Sequence, residues 1–411
     1  MNRKLLVFLV LVLFLFVLWL KFFLPSRFKF WRIQPVFLIY SWNCWVRLWR
    51  KEYGFIQTES ILPAQLKYIN HIQVRTHLFH QFSLKEQTEF VQFIQDHYAA
   101  HCYSPTLQQI ATTLGPTAVL SFFQDKPKQH KQLMGVISSK IVCFQSSYLE
   151  EKEMVIHLNY VDFLCVHSRF RQQGVAPTLI QTHNLHLQPL SRPLASIFKR
   201  EGNMTAIVPL TTFNTTTFYI PTLFFNQKKR KSKVVVEIKT ENDFSDLYTW
   251  IQKKKKNTLG ASIMCLPEPA HLRSMVEAKV IEIYGIKTKT NNFQTVCFFQ
   301  KDQLMMDGNK PVITVLLVLT ENEDTLSFLS DCIYCIRSLY FTNTSTTSTT
   351  STTSSTSCFF LSIQELMEGE LLVQQLIMEE KWSVFQTSPT AFFLYNYLHP
   401  TVNANRAIIL L

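Results

Sequence analysis

From Val161 the chain reads VDFLCVHSRFRQQGVAPTLI: an apolar strand-like run, a polar loop with one glycine, then a helix opened by Ala176 and Pro177. A strand that feeds a helix through so short a connection commits the chain to layers, with helices packed on a sheet. Only 9 glycines occur in 411 residues, so Gly174, set between Arg171 and Ala176, marks a constraint. Glycine admits left-handed backbone and lets another group approach the main chain closely. The free amides of the following helix N-terminus, its dipole, and Arg169 and Arg171 suit an anion such as a pyrophosphate. Pro177 fits the first helical turn. An ordinary strand-to-helix turn uses the same residues, so the loop alone does not decide between the two.

The flanking sequence extends this pattern. Phe82 to Ala99 (FSLKEQTEFVQFIQDHYA) has apolar residues at helical spacing with Ser83 as cap, and Leu107 to Leu114 is a second short helix. Leu133–Phe144 and Met154–Val166 are predicted strands, and APTLIQTHNLHL the helix after them. A comparable series follows the lysine run at 228: strands in KVVVEI, AKVIEIYGIKT, TVCFFQ and PVITVLLVLT, and helices over NDFSDLYTWIQKK, 324–341 and 361–380. The expected fold class is therefore α/β with a mixed sheet, built as two related lobes. Thr342 to Ser357 is sixteen residues, all Ser or Thr except Asn343, and is expected to be a disordered insertion.

Leu5 to Leu24 is almost wholly apolar, broken by Lys21 near its end. As a helix it reaches about 30 Å, the thickness of a bilayer core. A cleaved signal peptide is the rival, but no small-residue cleavage site follows. The expectation is a transmembrane signal anchor over residues 1–25, in contact with membrane lipid. Basic residues Lys21, Arg27, Lys29 and Arg32 on its carboxy side favour a single-pass protein with a cytosolic body. Asn203, Asn214 and Asn343 head glycosylation triplets that matter only if the body is luminal. The net charge of +12 gathers in runs such as Lys228–Lys233 and Lys253–Lys256, whose spacing gives no sign of base readout, so nucleic acid is not an expected partner. Nine cysteines, an odd number, fit a reducing compartment better than a disulfide framework. Cys332 and Cys335 form a CxxC without a second pair at zinc spacing, and no metal site is expected.

Arg171-Gln172-Gln173-Gly174-Val175-Ala176 fits the R/Q-x-x-G-x-A/G loop of GCN5-related N-acetyltransferase folds. The longer run FLCVHSRFRQQGVAPTLI resembles the signature of N-myristoyltransferases, which have two such lobes. FKFWRIQPV (Phe28–Val36) resembles that family's amino-terminal Phe-Trp-x-x-Gln-Pro-Val element, and FFLYNYLHPTVNANRAIILL (Phe392–Leu411) its closing segment. The resemblance covers Phe28 to Leu411. It implies an acyl-CoA-binding lobe over 26–232 and a peptide-binding lobe over 233–411, with the Ser/Thr insertion inside the second. It implies that Phe30, Trp31, Arg171, Gln172, Gln173, Gly174, Val175, Ala176 and Pro177 hold myristoyl-CoA. It further implies direct transfer of the acyl group to the N-terminal glycine of a protein, without metal. In that scheme the backbone amides of Phe163 and Leu164 form the oxyanion hole, and the carboxylate of Leu411 takes the amine's proton. Cys165 and His167 lie on one face of the strand, yet the family keeps that pair without using the thiol as nucleophile.

The departures fall on the acceptor side. Asp162 stands where the family has Asn; VPLTTF (Val208–Phe213) falls on a segment whose Thr helps guide the substrate amine in the family, and FYIPTLFFN takes the place of an Arg-Tyr-x-His-Arg element. AAHCYSP (Ala99–Pro105) replaces an acidic stretch, and VITVLLVLT (Val312–Thr320) lacks the groove tyrosines. Three readings fit these residues: an N-myristoyltransferase with altered peptide preference, a non-catalytic acyl-CoA-binding or membrane interaction protein, and another CoA-dependent N-acyltransferase.

Overall fold

Ser83 accepts a hydrogen bond from the Glu86 amide while the Glu86 carboxylate accepts one from the Ser83 amide, and this reciprocal cap starts the helix Leu84–His97. Thr106 and Gln109 repeat the device at the helix Leu107–Leu114. The computed structural model describes residues 8, 11, 12, 14 and 15, then 29–59, 61–98, 103–125, 132–147, 154–188, 194–202, 205–220, 234–257, 261–288, 292–306, 310–345 and 360–411. Its strands are β1 (Gly54–Phe55), β2 (Val74–Leu78), β3 (Val119–Gln124), β4 (Leu133–Ser146), β5 (Met154–Val166), β6 (Ser196–Glu201), β7 (Thr211–Tyr219) and β8 (Val235–Glu237). In the second half come β9 (Ile263–Leu266), β10 (Ile281–Lys287), β11 (Phe293–Met306), β12 (Lys310–Thr320), β13 (Phe360–Gln364), β14 (Val384–Tyr395), β15 (Tyr397–Leu398) and β16 (Ala407–Ile409).

Fourteen of these form one sheet in the order β16-β9-β4-β5-β6-β14-β7-β13-β12-β11-β10-β8, with β3 beside β4 and β2 beside β3. Three pairs, β5–β6, β12–β13 and β9–β16, are parallel and the rest antiparallel, so the expected mixed α/β sheet is present. Strands from either end of the chain interleave: β14 lies between β6 and β7, and β9 pairs with β4. Both faces of the sheet are covered where the sequence is most apolar. In β12, Leu317 and Leu319 enter one core while Val315 and Val318 enter another. Against β3 and β4 packs the helix Val175–Leu187; a Cβ on Gly135 of β4 would lie 2.8 Å from Leu179 Cδ1 and 3.1 Å from the Cys165 carbonyl.

Two expectations are corrected here. Residues 361–364 are strand: Phe360–Gln364 is buried throughout, pairs with both β12 and β7, and only Gly369–Met378 of the expected 361–380 helix is helical. The single-pass membrane localisation is also overturned, since among the described residues no helix is long and apolar enough to cross a membrane. Of the expected 1–25 anchor, only Phe8, Leu11, Val12, Phe14 and Leu15 are described, as exposed helical positions; the rest lies outside the described residues. Of the expected 342–357 insertion, residues 346–357 lie outside them too, and 342–345 continue the helix Thr325–Ser345. Asn203 and the Lys228–Lys233 run are likewise outside.

Candidate functional site

β5 and β6 start as a parallel pair and then part. Their register runs through Asn159↔Ser196, Tyr160↔Ile197 and Val161↔Phe198 and stops there, although both strands continue. β6 stays paired with β14 along its whole length, so the gap opens between β5 and β6 alone. A cavity of about 320 Å³ fills it, walled by Asp162–Leu164 on one side, Phe198–Arg200 on the other, and Ile180 and Leu187 of the helix above. Parting strands leave backbone donors and acceptors facing this space without a ladder partner, the condition for binding an extended ligand.

At the point of parting β5 bulges. Val136 faces Cys165 and Ser138 faces Asp162, so Ile137 alone opposes both Phe163 and Leu164. Phe163 takes φ +49°, a left-handed conformation costly for a bulky residue. An aromatic cage holds it there: Phe90, Tyr98 and Tyr103 lie 6.0, 6.0 and 6.3 Å from its ring. The Ser138 hydroxyl donates to the displaced Asp162 carbonyl at 3.1 Å, and the Phe163 amide donates to Asp162 Oδ1 at 2.8 Å. Phe163 and Leu164, the expected oxyanion donors, thus both stand on the cavity wall, with the Phe163 amide engaged by its neighbour's carboxylate.

A second, larger cavity of about 450 Å³ lies on the other side of the same bulge. The two share Val161, Asp162, Phe163, Tyr98 and Lys199. The far walls mix neutral polar side chains, among them Thr215 and Thr217 of β7, Gln300 of β11 and Ser388 of β14, with apolar ones such as Leu304, Val312 and Leu316. Leu411, expected to bring a carboxylate to the reacting centre, lines this cavity together with Phe163. β16 carries it there by pairing with β9.

The loop residues are placed differently. Arg171, Gln172, Gln173 and Gly174 are exposed at the start of the helix Val175–Leu187, and neither cavity is lined by any residue from Arg171 to Pro177. Gln172 (φ +64°) and Gly174 (φ +82°) are both left-handed, which turns the chain into the helix. A Cβ on Gly174 would meet no atom within 4 Å, so backbone conformation, and no crowding by the protein itself, calls for glycine. Val175 is buried, with Ala176 and Pro177 partly so in the first turn. Arg171 is occupied structurally, donating to the carbonyls of Val166 and His97, each at 3.2 Å. Trp31 lines the smaller cavity, stacked on Phe198 at 6.0 Å, whereas Phe30 is buried behind it against Tyr68.

Burial sets the electrostatics. It raises the pKa of Asp162, an effect opposed by the Phe163 amide and by the charges of Lys140 and Lys199. Lys140, 2% exposed on β4, is pushed down to about 8 by the same loss of water, and its ammonium donates to the Thr113 carbonyl at 2.9 Å. Lys140 is inconspicuous in the sequence, since a lysine in SSKIVCF looks like one step of an outward face. In the wall of the smaller cavity His183 is held neutral, pushed down to about 3 by burial, with its ring nitrogens bonded to Ser121 and Ser139. The Cys165 thiol, raised to about 11 by burial, is a poor nucleophile, in keeping with the reading that passes it over.

No protein-family model matches the chain, and no curated protein matches it by sequence. Solved structures do match. A Saccharomyces cerevisiae N-myristoyltransferase with bound myristoyl-CoA superposes with a TM-score of 0.67 at 12% identity, over 93% of this chain and 99% of that one. A second structure of that enzyme with myristoyl-CoA gives 0.67 over 94% of its length. A third, with myristoyl-CoA and inhibitors, gives 0.65 at 12% identity and 91% of its length. The chain has the fold of N-myristoyltransferases, at 12% sequence identity.

Proposed function

We propose that this chain transfers a fatty acyl group, myristoyl in the first instance, from its CoA thioester to the N-terminal glycine of a peptide. One observation carries the reading: two cavities, a smaller one with mainly apolar walls and a larger one of mixed polar and apolar lining, meet at a strained bulge. That arrangement suits a donor and an acceptor brought together end to end. The acyl chain and its thioester lie in the β5–β6 gap, under Trp31 and against Ile180 and Leu187. Gly174 sits six residues before Ile180, about 9 Å along the helix axis at 1.5 Å per residue, so the pyrophosphate of the same ligand reaches the helix N-terminus. This division makes 26–232 the acyl-CoA lobe and 233–411, with β12 and Leu411, the main contributor to the acceptor cavity.

In the reaction the glycine amine attacks the thioester carbonyl, a C–N bond forms and the C–S bond breaks. Amides at Phe163 and Leu164 stabilise the oxyanion as it forms. The amine arrives as an ammonium that must give up a proton before it attacks, and the CoA thiolate is a good leaving group. A second reading, an acyl-CoA binder without turnover, is favoured by the carboxylate of Asp162 resting on the Phe163 amide. Release of CoA thiol by the full chain separates them. The transfer reading expects release with myristoyl-CoA and a glycine-terminal peptide, and none when that peptide is N-acetylated. Silence across a broad set of glycine peptides would leave only the binder.

A further inference from the structure

Among the described residues, one carboxylate side chain stands on the wall common to both cavities: Asp162. Resting on the acyl-transfer reading, we propose that Asp162 is itself a catalytic base: it takes the proton from the acceptor's ammonium, and in doing so releases the Phe163 amide to the oxyanion. The geometry ties the two events together. As a carboxylate, Asp162 Oδ1 holds the Phe163 N–H at 2.8 Å, where the developing oxyanion needs a donor. A negatively charged group left in that place would repel the oxyanion. Once protonated, the carboxyl is a weaker acceptor and no longer an anion, so the amide is free to turn to the substrate.

The atoms balance as follows. The ammonium gives one proton to Asp162, leaving a neutral amine and a neutral carboxyl. The amine's lone pair forms the C–N bond, the C–S bond breaks with its electron pair on sulfur, and one of the two protons still on nitrogen passes to that thiolate, leaving the amide N–H. Asp162 then loses its proton to water and the site is reset. Charged and titratable groups face this residue from several packed elements. Lys140 faces it from β4, Lys199 and Glu201 stand beside it on β6, and Tyr160 precedes it on β5. Tyr98 and Tyr103 close the aromatic side, and Leu411 follows β16 across the larger cavity. Burial raises the pKa of Asp162, which favours taking up a proton, while the two lysines oppose that rise. A structural aspartate in a bulge explains the bond to Phe163, but gives no reason for placing it between two cavities.

The test is the pH profile of kcat/KM for the full chain and for Asp162→Asn, with myristoyl-CoA and a glycine peptide. At pH 7 the variant is expected to turn over about 10²-fold more slowly, the size of effect a positioned base supplies. Its deficit should shrink towards alkaline pH, because a terminal amine with a pKa of about 8 then arrives unprotonated without help. Myristoyl-CoA affinity, read by calorimetry, should not change. A variant with wild-type rate and profile would overturn the role of Asp162 while leaving the transfer reading standing; a wild-type chain that turns over no glycine peptide would remove both. If Asp162→Asn fails to bind myristoyl-CoA, a short extension beyond Leu411 decides: an acid limb that survives the extension supports Asp162, and one that disappears with it overturns the proposal.

Discussion

Gly174 and Gly202 offer a matched pair. Both take φ above +80°, and a Cβ added at either would find no atom within 4 Å, so alanine at each position meets backbone strain and open space. That strain costs about 1 kcal/mol at each site. Only Gly174 lies at the helix N-terminus proposed to meet the CoA phosphates. Gly174→Ala is therefore expected to weaken myristoyl-CoA binding at least tenfold in calorimetry, and Gly202→Ala to leave it unchanged; equal losses would reduce Gly174 to a helix turn. At Asp162 the sequence alone revealed a departure, Asp for Asn, but not its consequence. The bulge that aims the carboxylate is set by Phe163 packing among Phe90, Tyr98 and Tyr103, contacts made across long separations in the chain.

Among the elements, the helix Val175–Leu187 positions the site, and its approach to β4 depends on the absence of a side chain at Gly135. Gly135→Val should destabilise the protein by about 1–3 kcal/mol through overpacking against Leu179, seen as a lower Tm. Buried histidines give a second handle. His183 is pushed down to about 3 and His399 to about 4, both by burial, against an ordinary imidazole near 6.5. The unfolded chain then binds more protons than the folded one below the ordinary value, so stability is full above about pH 6.5 and falls as pH drops towards 4. Each histidine contributes up to about 1.4 kcal/mol per pH unit in that window. Melting curves at pH 7 and 5 should separate clearly; coincident curves would contradict the neutral, buried assignment. Legibility also varied by element. Helices with a capping residue and apolar periodicity, such as Leu107–Leu114, and the apolar strand Met154–Val166 could be read from sequence. The middle of the sheet could not: β7 reads TTFNTTTFY, and in β14 the polar run QTSPT parts Val384 and Phe385 from the apolar far end. Their hydroxyl and amide side chains line the larger cavity, so function removed the alternation that marks a strand.

For the whole molecule, the fold that a glycine loop and two end segments suggested is the fold the chain adopts, while its expected single-pass localisation is not supported. Three sequence anchors were legible because each is a short local motif: Gly174 turns the chain into the helix Val175–Leu187, and Trp31 and Leu411 each line a cavity. The cavities were not, because they arise from β14 and β7 crossing into a sheet begun by β4, β5 and β6. The central claim is spatial: the gap between β5 and β6 holds the acyl chain. Photolabelling the full chain with myristoyl-CoA bearing a diazirine at the chain's terminal carbon, followed by digestion and mass spectrometry, tests it most directly. Adducts are expected within the helix Val175–Leu187 and β6, and should be lost when unlabelled myristoyl-CoA competes. Adducts confined to residues outside the smaller cavity, such as β11 and β12, would contradict it.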